Sequence, residues 1–258
     1  MVAILRHDVD SAYVNELRFG KLTRLCVTNM NRLNVRFGNF LPGIPRLEYL
    51  HDAERLFEAE KSLGIKSTWF FRRRTRPHRD FARRLLRHGC EIAFHADRIH
   101  EESIFLKDLR WTVGDNWPVG FSKHGSARNQ LEAEERGCEI YDASECLGLA
   151  IRHGFKYFAG NGTDPEQSFR VIGGVVYFPG AFWMFPGYMQ DTKYTLEWLI
   201  RNHRDTDVVV LIHPREYTDL YPRVKERIDT LLSRVDEVVA FRQFIGSLRD
   251  TSQGARED

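Results

Sequence analysis

The sequence predicts an α/β fold, a parallel sheet or barrel with helices on its outside, from three observations. Seven short β-rich runs alternate with amphipathic helical stretches. Several of those stretches end in a glycine stop, Leu63-Gly64, His88-Gly89 and His153-Gly154. Seven strands are also a number that favours closure into a barrel over an open sheet.

The predicted strands are 3–7, 67–71, 91–95, 119–122, 157–159, 175–178 and 208–213, each rich in β-branched or aromatic residues. The predicted helices are 52–63, 80–88, 144–153, 195–203 and 223–232, with apolar residues at three- and four-residue spacings. Residues 11–50 break the rhythm: two glycine-proline corners and mixed Arg/Asn polarity make an elaborated insertion, with a helix expected across 13–25. Residues 1–249 are read as one domain and the polar 250–258 as a tail.

Composition narrows the function classes. With 42% hydrophobic and 12% aromatic residues in 258, the chain can fill a sizeable core. Lys+Arg 38 against Asp+Glu 36 gives a net charge of +2, which demands neither a nucleic-acid nor a membrane partner. No apolar run approaches the ~20 residues of a membrane span. Cys26, Cys90, Cys138 and Cys146 form no CxxC pair, and with a strand predicted directly after Met1 no signal peptide is expected. A cytoplasmic protein with reduced thiols is expected.

In α/β barrels the strand C-termini collect the functional groups. Here the first strand ends Arg6-His7-Asp8-Val9-Asp10 and the third His95-Ala96-Asp97. The fourth runs into Lys123-His124-Gly125-Ser126, and the last ends His213-Pro214. Each piece has an ordinary explanation, a turn or cap for Asp-x-Asp and a hydrogen-bonded rim residue for each histidine. Together they place carboxylates and histidines at one mouth, the donor set of a divalent ion such as zinc. Such an ion lowers the pKa of a bound water, whose proton a carboxylate can take. Asp8 and Asp10 share a strand face, so one can bind metal while the other acts as base. Asp10 and His95 are expected to be exposed at this cleft.

Arg6-His7-Asp8-Val9-Asp10, the run from Gly64 to Phe71, the run from Gly89 to His95 and Leu211-Ile212-His213-Pro214 together resemble the polysaccharide deacetylase superfamily of carbohydrate esterases, in order along nearly the whole chain. The resemblance implies a distorted, incomplete (β/α)7 barrel. It also implies Asp8 as catalytic base, Asp10 and His95 as metal ligands, and His213 as the acid that protonates the leaving amine. The family's second histidine would fall at Ile99, so His100 and His124 compete for the third ligand position. His124 is preferred because it ends a strand. The family's Arg-x-Pro-Tyr motif is replaced by Lys123-His124-Gly125-Ser126, so the arginine that would tether the base has no counterpart there.

Two further features bear on substrate. Arg72-Arg73-Arg74-Thr75-Arg76 follows the second strand and is either a solvated basic loop or an anion site, with Arg72 and Arg74 binding a phosphorylated substrate. In the aromatic run from Tyr177 to Trp183, Trp183 is the candidate to stack on a sugar ring; such runs are more often core. The expected reaction is metal-dependent N-deacetylation of an amino sugar or glycoconjugate. The alternatives are hydrolysis of a formamide or cyclic amide, or binding of a glycan or nucleotide-sugar without turnover.

Overall fold

The computed structural model describes residues 2–11, 49–114, 118–125, 139–185, 193–202, 206–218, 221–235 and 237–254, with the single residues Cys26 and Asn29. The helix expected across 13–25 therefore lies outside the described residues, as do Cys138 and Ser126. No helix among the described residues is long and apolar enough to cross a membrane.

Ten strands form one sheet: β1 (Ala3–Val9), β2 (Thr68–Phe71), β3 (Glu91–Ala96), β4 (Gly120–Lys123), β5 (Tyr157–Gly162), β6 (Arg170–Ile172), β7 (Val175–Gly180), β8 (Phe182–Trp183), β9 (Val208–Ile212) and β10 (Val238–Val239). The order is β6-β7-β5-β4-β3-β2-β1-β9-β8, with β10 added beside β1. Among the described residues only the β6–β7 pair is antiparallel; the others run parallel. The helices are α1 (His51–Ser62), α2 (Arg79–His88), α3 (Glu102–Val113), α4 (Ala143–Arg152), α5 (Leu196–Asn202), α6 (Pro222–Arg234) and α7 (Phe241–Gly254).

Closure follows from one extended stretch. β7 pairs with β5, and after Ala181 the same chain direction continues as β8, which pairs with β9. The two ends of the sheet therefore meet through residues 175–183, which makes the sheet a distorted barrel of seven principal parallel strands. All seven expected strands are present, and the glycine stop at Gly89 takes φ 87°, a left-handed turn that a Cβ would strain.

Alternation along the strands separates an inside from an outside. Ala3, Leu5 and Val9 of β1, with Trp69 and Phe71 of β2, pack outward against α1, α2 and α6. Ile4, Phe70, Ala93, Tyr157, Val176, Phe178 and Leu211 belong to a separate inner cluster with Phe241, Phe244 and Ile245 of α7. The Phe241 ring stacks 4.7 Å from Tyr157 and meets Phe70 and Phe178 edge-on, so α7 plugs the strands' N-terminal end. Its first backbone amides donate to the Thr68 hydroxyl and the Glu91 carboxylate, both at 3.0 Å, which caps the helix from within the barrel. With that end sealed, the polar inward residues stand at the other end, where the strands finish.

Candidate active site

β1 and the residue just past it set two carboxylates, Asp8 and Asp10, two positions apart. Arg6, two residues before Asp8 and therefore on the same face, donates from Nε to Asp8 Oδ1 and from Nη2 to Asp8 Oδ2, both at 2.7 Å. Its third nitrogen donates to the Gly160 carbonyl at 2.6 Å, and its guanidinium lies over the Phe70 ring. Burial opposes charge on Asp8, but the Arg6 guanidinium and His95 outweigh it and hold the carboxyl below its usual range. The tether absent from the His124 motif is thus supplied locally by Arg6. An Arg-x-Asp spacing on a strand was the signal for it.

Asp10, just past the end of β1, is the hub. His95 Nε2 stands 3.1 Å and His124 Nε2 3.6 Å from its Oδ1, and His213 Nε2 lies 3.4 Å from its Oδ2. His95 also reaches Asp8 Oδ2 at 3.5 Å. Burial disfavours a charged Asp10, yet the three surrounding imidazoles prevail and hold its carboxyl well below the usual range. Its Oδ1 is shut from solvent and accepts no aligned hydrogen bond. A buried carboxylate oxygen that faces two imidazole nitrogens without good alignment to either has acceptor capacity to spare.

Each histidine is oriented from behind. His95 Nδ1 lies 2.7 Å from the Ser122 hydroxyl on neighbouring β4. His124 Nδ1 lies 3.2 Å from Asp97 Oδ1, and His213 Nδ1 lies 3.2 Å from Glu216 Oε1 in the turn that follows β9. Burial presses the His213 pKa down, but Glu216, Asp10 and Asp8 together raise it above its ordinary value. Ser122, Asp97 and Glu216 were not singled out for these roles in the sequence. Glu216 follows His213 by three residues, and Asp97 follows His95 by two.

The structure thus gathers Asp8, Asp10, His95, His124 and His213, and separates His100 from them. Ile99, the position where the resemblance would set a ligand, is buried in the layer between sheet and helices, and His100 pairs with Glu145 of α4 on the outer surface. The expected exposure of Asp10 and His95 needs correction. His95 is only 2% exposed and Asp10 is half-buried, because the site lies inside the mouth rather than on its rim. Among the described residues, no three or more His, Cys, Asp or Glu side chains are disposed as a ready-made metal cage.

Within the arginine run, exposed Arg73 and Arg74 agree with a solvated loop, and Arg72 with neither expected reading. Arg72 is buried; it donates from Nε to Asp97 at 2.8 Å and from Nη1 to the Asp10 carbonyl at 3.0 Å. Its guanidinium is committed to the protein and is no open anion site. Arg73 pairs with Asp108, Arg76 lies over the Trp111 ring, and Arg74 is exposed. In the aromatic run, Phe178 and Phe182 are core, as such runs usually are. Trp183 is half-buried, 5.6 Å from the His213 ring, with its indole N–H donating to the Gly162 carbonyl.

Comparison with solved structures decides the fold. A protein from Mycobacterium smegmatis assigned as a polysaccharide deacetylase superposes with a TM-score of 0.53 at 16% identity, over 97% of this chain and 90% of that one. The chain has the polysaccharide deacetylase fold. A polysaccharide deacetylase assignment from Pseudomonas aeruginosa PAO1 gives 0.52 at 13% identity, over 94% and 88% of the two chains. The PuuE allantoinase gives 0.55 at 12% identity over the same shares. No protein-family profile and no curated sequence matches the chain.

Proposed function

We propose that the chain is a hydrolase of non-peptide C–N bonds, with an N-acetylated amino sugar as its substrate and a divalent ion, zinc or similar, held by Asp10, His95 and His124. The observation that carries this reading is the buried Asp10 Oδ1, which has no well-aligned hydrogen bond and faces imidazole nitrogens at 3.1 and 3.6 Å. Two ligands bound to one zinc at ~2.0–2.1 Å in tetrahedral array lie about 3.3 Å apart, and the spacings of His95 Nε2 and His124 Nε2 from Asp10 Oδ1 straddle that figure, which supports a shared ion once the three side chains draw together around it. When bound, the ion would supply Lewis acidity toward a carbonyl oxygen and toward water.

The chain's own residues divide the remaining work. Asp8, kept ionised by Arg6, can accept a proton from water at Oδ2, the oxygen nearer His95. His213, with a raised pKa and Glu216 behind it, can hold a proton at Nε2 for the departing nitrogen. Trp183 beside it offers a flat face at the mouth, suited to a sugar ring. A protein that only binds a glycan needs neither a clamped base nor a poised acid.

The shared fold includes an allantoinase as well as deacetylase assignments, so acetamide and cyclic-amide substrates are tested together. Zinc-loaded protein should release acetate from N-acetylated amino-sugar oligomers and leave allantoin intact. Hydrolysis of allantoin alone would move the reading to cyclic amides. Stoichiometric glycan binding without hydrolysis of either would leave a binding protein.

A further inference from the structure

Resting on the ligand assignment just proposed, we infer that Asp97 is a positioning residue that fixes His124 as the third ligand, and that Arg72 braces Asp97 for this task. Asp97 lies just past β3, two residues after His95, and its Oδ1 meets His124 Nδ1 at 3.2 Å. An ionised carboxylate only accepts hydrogen bonds, so the imidazole facing it carries its hydrogen on Nδ1. The lone pair then sits on Nε2, the nitrogen turned toward Asp10 Oδ1 at 3.6 Å. Ser122 holds His95 from behind with a hydroxyl 2.7 Å from Nδ1, a partner that can donate or accept and so does not by itself fix the ring's hydrogen.

Arg72 extends the arrangement to the strand that carries Asp10. It grips Asp97 Oδ1 through Nε at 2.8 Å and Nη2 at 2.5 Å, while Nη1 donates to the Asp10 carbonyl at 3.0 Å. The turn containing it is bolted to the same strand end, since the Thr75 hydroxyl donates to the Val9 carbonyl at 2.6 Å and accepts from Arg72 N at 2.9 Å. One buried guanidinium therefore spaces the carboxylate ligand and the support of His124 against each other. This also explains why a histidine four residues after His95 is dispensable here. The chain at 97–99 supplies the support, and the neighbouring strand supplies the ligand.

The test is equilibrium binding of Zn²⁺ and the visible spectrum of the Co²⁺-substituted protein, each read without activity. Asp97→Ala should weaken zinc about 10–100-fold and alter the cobalt bands. Asp97→Asn, which keeps the shape and an acceptor oxygen, should recover part of the loss and stands in if the alanine variant does not fold. Arg72→Met should weaken zinc in the same direction by a smaller factor. Wild-type affinity and an unchanged cobalt spectrum in both Asp97 variants, while His95→Ala abolishes binding, would overturn this inference and leave the ligand assignment standing. Full zinc binding by His95→Ala would overturn the ligand assignment, and this inference with it.

Discussion

Arg6 and Asp8 sit two residues apart on one face of β1, and the guanidinium of the first holds both carboxylate oxygens of the second at 2.7 Å inside the barrel. Both are nearly inaccessible, Arg6 at 1% and Asp8 at 3% exposure. Removing one partner of a buried pair strands the other charge, at a cost of roughly 3–5 kcal/mol. Arg6→Met should lose about that much stability in urea unfolding at neutral pH, and adding Asp8→Asn should restore a substantial part. A loss below ~1 kcal/mol, or no recovery in the double variant, would show that Asp8 does not depend on Arg6.

The plug at the opposite end makes a second stability prediction. Phe241 is fully buried against Tyr157, Phe70 and Phe178. Phe241→Ala should cost about 3–5 kcal/mol by leaving a cavity among rings that cannot collapse onto it. Chemical denaturation reads the loss directly. A cost near zero would mean that α7 rests on the barrel without closing it.

Glu91 gives a pH dependence whose direction follows from its position. Burial raises its carboxyl above the ordinary 4.5, against the opposing hydrogen bonds from Arg242 N, Thr68 and Tyr157. The folded state thus binds this proton more tightly than the unfolded state. The resulting stability is full below the unfolded carboxylate pKa and is lost as pH rises from there through the raised folded value. Glu91→Gln carries no such proton, so the stability difference, wild type minus variant, should shrink as pH rises across that window. Urea midpoints measured in steps between pH 4 and 7 give the difference. A difference that grows with pH would show that Glu91 is stabilised as an anion by the amides of α7.

Much of this was legible along the chain, because strand and helix periods are local. The seven principal strands and five of the helices could be read from apolar spacing, and the cluster at the mouth from what ends each strand. α3 escaped because its buried face includes Asp108 and Thr112 beside Phe105 and Leu109, which blurs the apolar stripe. The role of α7 escaped because its partners lie on β2, β5 and β7, far away in sequence. Arg72 looked like a free charge because the carboxylate that engages it is 25 residues further on. That His124 stands beside Asp10 while His100 turns to Glu145 follows from a strand end being a fixed point.

We propose Asp8 as the base of a metal-assisted amide hydrolysis and not itself a needed ligand. Zinc stoichiometry and acetate release from an N-acetylated amino-sugar oligomer, both measured on one preparation of Asp8→Asn, separate the two roles. The asparagine keeps the shape but cannot take the water's proton. Zinc should remain bound one per chain, and turnover should fall by about 10²–10⁴-fold. Turnover within a few-fold of wild type with zinc in place would remove Asp8 as the base.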